Sequence, residues 1–163
     1  MNKLMVSLLP LLVVVSIAHA QGGPRSANVH ADNIGDSVTL DGGGSFDAAS
    51  GQITLGGRFR VKQDLASGPL GGLRDGEGTH WQATAILPSS TFKCSGADPG
   101  RTVVTDDDTI VFEADFFRAG DGARASFHAK VFVSAQDENP DAPGVQNVWI
   151  QGVGCDDASV DVH

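Results

Sequence analysis

Thr109-Ile-Val-Phe-Glu-Ala-Asp-Phe-Phe-Arg118 and Arg124-Ala-Ser-Phe-His-Ala-Lys-Val-Phe-Val-Ser-Ala135 stand on either side of Ala119-Gly-Asp-Gly-Ala123. Apolar and polar side chains alternate along both flanks, the period of a half-buried strand. Asp121-Gly122 between them is a type I′ hairpin signal. With those two residues as the loop, Phe112 faces Val131, Ala114 faces Ala129 and Phe116 faces Phe127 on one side. On the other side Glu113 faces Lys130, Asp115 faces His128 and Val111 faces Phe132. Cross-strand pairs of this kind each contribute about 0.2–1 kcal/mol. Turn chemistry and face matching agree on one register, so the hairpin is antiparallel with one face in a core.

The same grammar extends in both directions. Gln52–Gln63 places Ile53, Leu55, Phe59 and Val61 on one face and Arg58, Arg60 and Lys62 on the other. Thr79–Leu87 places Trp81, Ala83, Ala85 and Leu87 together. Val38-Thr-Leu40, Thr91–Cys94, Thr102–Thr105 and Ala158–Val162 read as shorter strands, the first broken by Asp41-Gly-Gly-Gly-Ser45. Val145–Cys155 reads as a core strand that is apolar on both faces, Val148 and Ile150 on one and Trp149 and Val153 on the other. No segment shows a helical period, and 21 glycines disfavour helices further. The expected fold is all-β, an antiparallel barrel or sandwich of about eight strands with one disulfide.

The chain opens Met1-Asn-Lys3, runs apolar from Leu4 to Ile17 and then reads Ala18-His19-Ala20. That is the n-region, h-region and small-residue cleavage site of a signal peptide cut after Ala20. The run is shorter than the ~20 residues of a membrane span and contains Pro10. The expected organisation is a signal peptide over 1–20, a flexible leader over 21–36 and one β domain over 37–163. The mature product is expected to be secreted or periplasmic, with no transmembrane segment. In an oxidising compartment the two cysteines, Cys94 and Cys155, read as a disulfide. The loop it closes, about 60 residues long, makes it worth roughly 4 kcal/mol in the chain-entropy account.

The formal net charge is −9, from 11 basic and 20 acidic residues. This excludes a phosphate-backbone binder, which needs Lys and Arg to displace counterions, and leaves a glycan, a small ligand or a protein as partner. Only Glu77, Glu113 and Glu138 among the acidic residues are Glu. The rest are Asp, a turn residue, as many short connections require.

Gly42-Gly-Gly-Ser-Phe46, Gly51-Gln-Ile-Thr-Leu-Gly-Gly-Arg-Phe59, Ala125–Val133 and Val148-Trp-Ile150 resemble the post-COAP-1 domain of exported bacterial proteins. The resemblance spans about 120 residues and implies a secreted β domain without a defined activity. The Cys94/Cys155 pair and the loop Asp137–Gly144 depart from the pattern.

Few residues suggest chemistry. Asp137-Glu-Asn-Pro-Asp141 offers oxygen ligands for Ca²⁺ at Asp137, Glu138, Asn139 and Asp141, without EF-hand spacing. A solvated loop is the plainer reading, and no other cofactor is suggested. Asp106-Asp-Asp108 and Asp156-Asp157 are weaker versions of the same idea. His30, His80, His128 and His163 have no metal-ligand spacing. Ser45 and Ser95 lie in glycine-bearing turns but not in a Gly-x-Ser-x-Gly elbow. Glu113 and Asp115 share a face as glycosidase carboxylates would, yet Lys130 and His128 are their ready ion partners. Trp81 and Trp149 are candidates for a stacking platform or for core packing. The reading that follows is an exported, non-catalytic β domain with a binding or structural accessory role. A sugar- or small-ligand-binding domain using Trp81 and Trp149, and a small secreted hydrolase, are its alternatives.

Overall fold

The computed structural model describes residues 23–163 apart from 123 and 126. The segment read as a signal peptide, residues 1–20, lies outside the described residues. Among the described residues there is no helix, and therefore none long and apolar enough to cross a membrane.

The described residues form twelve strands in order: β1 (Arg25–Ile34), β2 (Val38–Asp47), β3 (Gln52–Ile53), β4 (Gly56–Val61), β5 (His80–Leu87), β6 (Ser89–Phe92), β7 (Arg101–Val104), β8 (Thr109–Phe117), β9 (Phe127–Ser134), β10 (Val148–Ile150), β11 (Gly154–Asp156) and β12 (Ser159–Val162). Ten belong to one antiparallel sheet, in the order β11-β10-β9-β8-β5-β4-β2-β1-β12, with β3 beside β2. The sheet curls into a half-barrel, so its concave face makes the main core. Val38, Leu40, Phe59, Val61, Trp81, Ile110, Phe112, Phe116, Val131 and Ile150 lie there, all at 3% exposure or less. The remaining two strands, β6 and β7, pair only with each other as a ribbon.

The ribbon resolves the question posed by the doubly apolar strands. Phe92 and Val103 of the ribbon pack on Val111, Phe132 and Trp149, which project from the convex face of β8, β9 and β10. Cys94 leaves the ribbon and bonds Cys155 of β11, with the Cα atoms 4.8 Å apart. The disulfide therefore fastens the cover to the sheet edge, and β10 is buried on both sides.

The hairpin register holds across its length, from Thr109 opposite Ser134 to Phe116 opposite Phe127. Its turn is different from the one expected. The strands stop at Phe117 and Phe127, and the Asp121 N–H donates to the Arg118 carbonyl at 3.3 Å with Gly120 at φ 94°. A glycine at the third position is what a type II turn needs. The type I′ arrangement, with two successive residues at positive φ, occurs instead at Gly35-Asp36 between β1 and β2 (φ 54° and 58°).

Other expectations are corrected. The leader reading of 21–36 fails over Arg25–Ile34, which is β1 with Ala27, Val29, Ala31 and Ile34 inward. Alanine buries too little area to stand out in the sequence. Asp41–Ser45 does not break a strand, because β2 runs through it. Thr79–Leu87 keeps its alternation only as far as Ala83. A bulge between Ala83 and Ala85 inserts an extra residue, which reverses the faces beyond it. Ile86 then joins the inner core and Leu87 the outer cluster. Val145–Cys155 is two strands, β10 and β11, joined by a turn in which the Val153 N–H meets the Ile150 carbonyl at 3.0 Å, with Gly152 at φ 77°.

The two ends of the sheet are joined by the C-terminal segment. β11 pairs with β10, and only Asp157 and Ala158 intervene before β12 pairs with β1. Two residues reach little more than 10 Å, so the ends of the sheet are close. The Gly35 N–H donates to the Cys155 carbonyl (3.0 Å) and the Asn33 N–H to Asp156 Oδ2 (2.7 Å), lacing β1 to β11. Asn147, buried at 7% exposure, bonds Ala158 through both ends of its amide: Nδ2 donates to the carbonyl (2.9 Å) and Oδ1 accepts from the N–H (2.8 Å). We expect Asn147→Ala to cost about 2–4 kcal/mol, because it orphans two buried backbone groups. Denaturant titration should show the loss, and hydrogen exchange at Ala158 should rise first.

Candidate functional site

The two tryptophans occupy opposite sides of one sheet. Trp81 points into the half-barrel at 2% exposure, with its ring 5.7 Å from Phe112 at a 22° interplanar angle. Its Nε1–H donates to the Asp41 carbonyl at 3.0 Å. Trp149 points out beneath the ribbon at 4% exposure, and its Nε1–H donates to the Lys93 carbonyl at 3.0 Å. They form no shared platform. An open groove of about 590 Å³ reaches Trp149, bordered by Thr91, Lys93, Ser95, Gly152 and Val153. Trp81 takes no part in it.

The acidic loop is tied down by its own carboxylates. Asp137 Oδ1 accepts the backbone N–H groups of Asn139 and Gln146, each at 3.0 Å. Glu138 Oε1 accepts the hydroxyls of Thr109 (2.9 Å) and Ser134 (2.7 Å). Asn139 is buried, with Nδ2 3.9 Å from Cys94 Sγ, and Asp141 pairs with Arg101 of the ribbon. The four residues read as Ca²⁺ ligands thus address separate protein partners. Among the described residues no three His, Cys, Asp or Glu side chains are grouped as a metal site requires. The other acidic runs behave alike: Asp107 pairs with Arg25, Asp108 takes the Gln136 amide, and Asp156 accepts from Asn33 and Asp157.

The histidines are dispersed. His30 lies between Asp41 and Asp32. The Asp41 hydrogen bond first, then the charges of Asp41 and Asp32, hold its pKa above the ordinary histidine value. His80 stacks on Phe117, with centroids 4.2 Å apart at 7°. His128 Nδ1 meets Asp115 Oδ1 at 2.6 Å, and His163 meets Asp161 at 3.3 Å. His80 and His128 do not meet. Ser45 Oγ bonds Thr54 Oγ1 at 2.8 Å, and the Ser95 backbone N–H donates to Asp98 Oδ2 at 2.7 Å; no histidine among the described residues hydrogen-bonds either serine.

One place gathers unlike polar groups in the open. On the convex face beyond the ribbon, Glu113 and Asp115 of β8 stand opposite Lys130 and His128 of β9. Thr84 enters from the bulge of β5 and Gln151 from the turn after β10, and the six line a shallow cavity of about 180 Å³. Its floor is the backbone of Ala114 and Ala129, whose side chains belong to the core. Asp115 pairs with His128 as expected. Glu113 and Lys130 are opposite in register but form no ion pair. The alternation along β8 and β9 reveals four of the six residues in advance. Thr84 and Gln151 were missed, since the one depends on a bulge and the other on a turn inside an apolar run.

The fold and this surface define a disulfide-bonded, all-β half-barrel with a ribbon-covered outer core and a polar, uncovered flank. No family model, curated protein or solved structure matches the chain. Its function therefore has to be argued from its own geometry.

Proposed function

We propose that this protein is an exported, non-catalytic β domain that serves a binding or structural accessory role outside the cytoplasm. The observation that carries the reading is the Cys94–Cys155 disulfide fastening the ribbon over a second core. A bond that holds part of the hydrophobic interior closed suits an oxidising compartment. The N-terminal apolar segment and the resemblance to post-COAP-1 domains point the same way. The interior is packed with Trp81, Phe112 and Phe116, which leaves the surface to do the binding. Fractionation of a bacterium expressing the full chain tests this. The expected product lies outside the cytoplasm, begins at Gln21 and contains no titratable thiol. A cytoplasmic product with two reactive thiols overturns the reading.

A second reading is a sugar or small apolar ligand held against Trp149, favoured by the groove that reaches the indole. Occupancy would change Trp149 emission. A flat fluorescence response across a glycan and lipid panel sinks it.

A further inference from the structure

We propose that the uncovered flank centred on Glu113 and Lys130 is a binding site for one unit of a neutral saccharide. The proposal rests on the reading of the protein as a surface binder and gives that reading a place and a ligand class.

The convex face is treated in two ways by the fold. Where it is apolar, at Val111, Phe132 and Trp149, the ribbon covers it. Two residues further along β8, at Glu113, it becomes polar and stays open. The open part is a recess with side chains from three strands and a turn, not a flat sheet surface.

Its polar atoms are only partly used by the protein. Asp115 Oδ1 accepts from His128 Nδ1, while its second oxygen and the far ring nitrogen have no hydrogen bond to a described residue. Gln151 Oε1 accepts the Lys130 backbone N–H at 3.2 Å, leaving its NH₂ as a donor. Thr84 Oγ1 leans on the Glu113 carbonyl at 3.3 Å. The Glu113 carboxylate and the Lys130 ammonium stand across from each other on paired strands with no hydrogen bond or ion pair to a described residue. Their backbones lie one strand spacing apart, roughly 5 Å, so a strong acceptor and a strong donor rise from neighbouring positions without pairing.

That combination selects its ligand. A hydroxyl both donates and accepts, and neighbouring ring hydroxyls bridge a carboxylate on one side and an ammonium on the other. An anion would meet Glu113 and Asp115, and a cation would meet Lys130. Both would lose more in desolvation than a neutral polyol. The recess is smaller than the ~300–1,000 Å³ of enclosed small-molecule pockets, so it takes one ring of a chain. Affinity per site is then weak, with a Kd on the order of 1 mM, and useful binding comes from repeated units.

Amide-resolved NMR titration of the purified protein with cellotetraose, xylotetraose, maltotetraose and chitotetraose is the test. At least one is expected to shift Thr84, Glu113, His128, Lys130 and Gln151 together. Glu113→Gln, at an exposed position, and Lys130→Met, at a half-buried one, should each weaken it at least about fivefold, while Thr39→Ala on β2 leaves it unchanged. No shifts, shifts confined to the Trp149 groove, wild-type affinity in both variants, or a preference for polygalacturonate overturns the site. Shifts at the site accompanied by new reducing ends support the site and overturn the non-catalytic reading. Absence of any binding overturns the site and leaves the export reading standing.

Discussion

Replacing Cys94 and Cys155 together by serine is expected to lower stability by about 4 kcal/mol, the loop-closure value for a sequence separation of 61. For a domain of this size the melting temperature should fall by on the order of 10 °C. The variant should also reveal where the bond acts. Trp149 depends on the ribbon for burial and donates to the carbonyl of Lys93, the neighbour of Cys94. Releasing Cys94 should therefore shift Trp149 emission to the red at temperatures well below global unfolding. Trp81, on the other side of the sheet, should keep its blue emission until the whole sheet melts. Scanning fluorimetry at two wavelengths, with Trp81→Phe and Trp149→Phe backgrounds to assign the signals, separates the two events. Coincident transitions would mean that the ribbon and the sheet form one cooperative unit without the bond.

The second large effect is at Trp81. Trp81→Ala should cost about 3–5 kcal/mol, the range for deleting a buried aromatic. It removes the stacking on Phe112 and the indole hydrogen bond to Asp41. The indole has its place because Gly42 has no side chain: a Cβ there would stand 2.8 Å from Cζ2 of Trp81 and 2.4 Å from the Gly56 carbonyl oxygen. Gly42→Ala should accordingly destabilise by about 1–3 kcal/mol through overpacking. In the Trp81→Ala background part of that cost should disappear, because the clash with the indole is gone while the clash with Gly56 remains. A double-mutant cycle in urea reads the coupling directly. Additive costs would show that the glycine answers to the backbone of β4 alone.

This pair shows which parts of the structure were legible in the sequence. Strand parity was clear wherever large residues carried it. Phe112, Phe116, Val131 and Phe132 placed the central hairpin in register, and Trp149 was correctly set on the face opposite Val148 and Ile150. Features built from small residues were hidden. Half of the inward residues of β1 are alanine, and Gly42–Gly44 looks like a breaker until the indole it accommodates is known. The bulge at Thr84 left no signal, because threonine suits a strand as well as a bulge. Covering also lies beyond local reading: only the tertiary structure puts Phe92 and Val103 over Phe132. At the polar flank, Glu113, Asp115, His128 and Lys130 were placed on one face from sequence. That Glu113 and Lys130 stay apart follows from side-chain geometry, which register alone does not fix.

The lacing of both sheet ends by Gly154–Val162 bears on time as well as on shape. Ala27, early in the domain, pairs with Gly44 on one side and with Val162 of β12 on the other. A nascent chain that has not yet reached Gly154 has β1 paired only with β2, β10 paired only with β9, and Cys94 without a thiol to meet. Topology of such long range folds slowly. Here it also makes closure of the sheet conditional on residues 154–162, so β1, β10 and the ribbon anchored by Cys94 reach their final partners together.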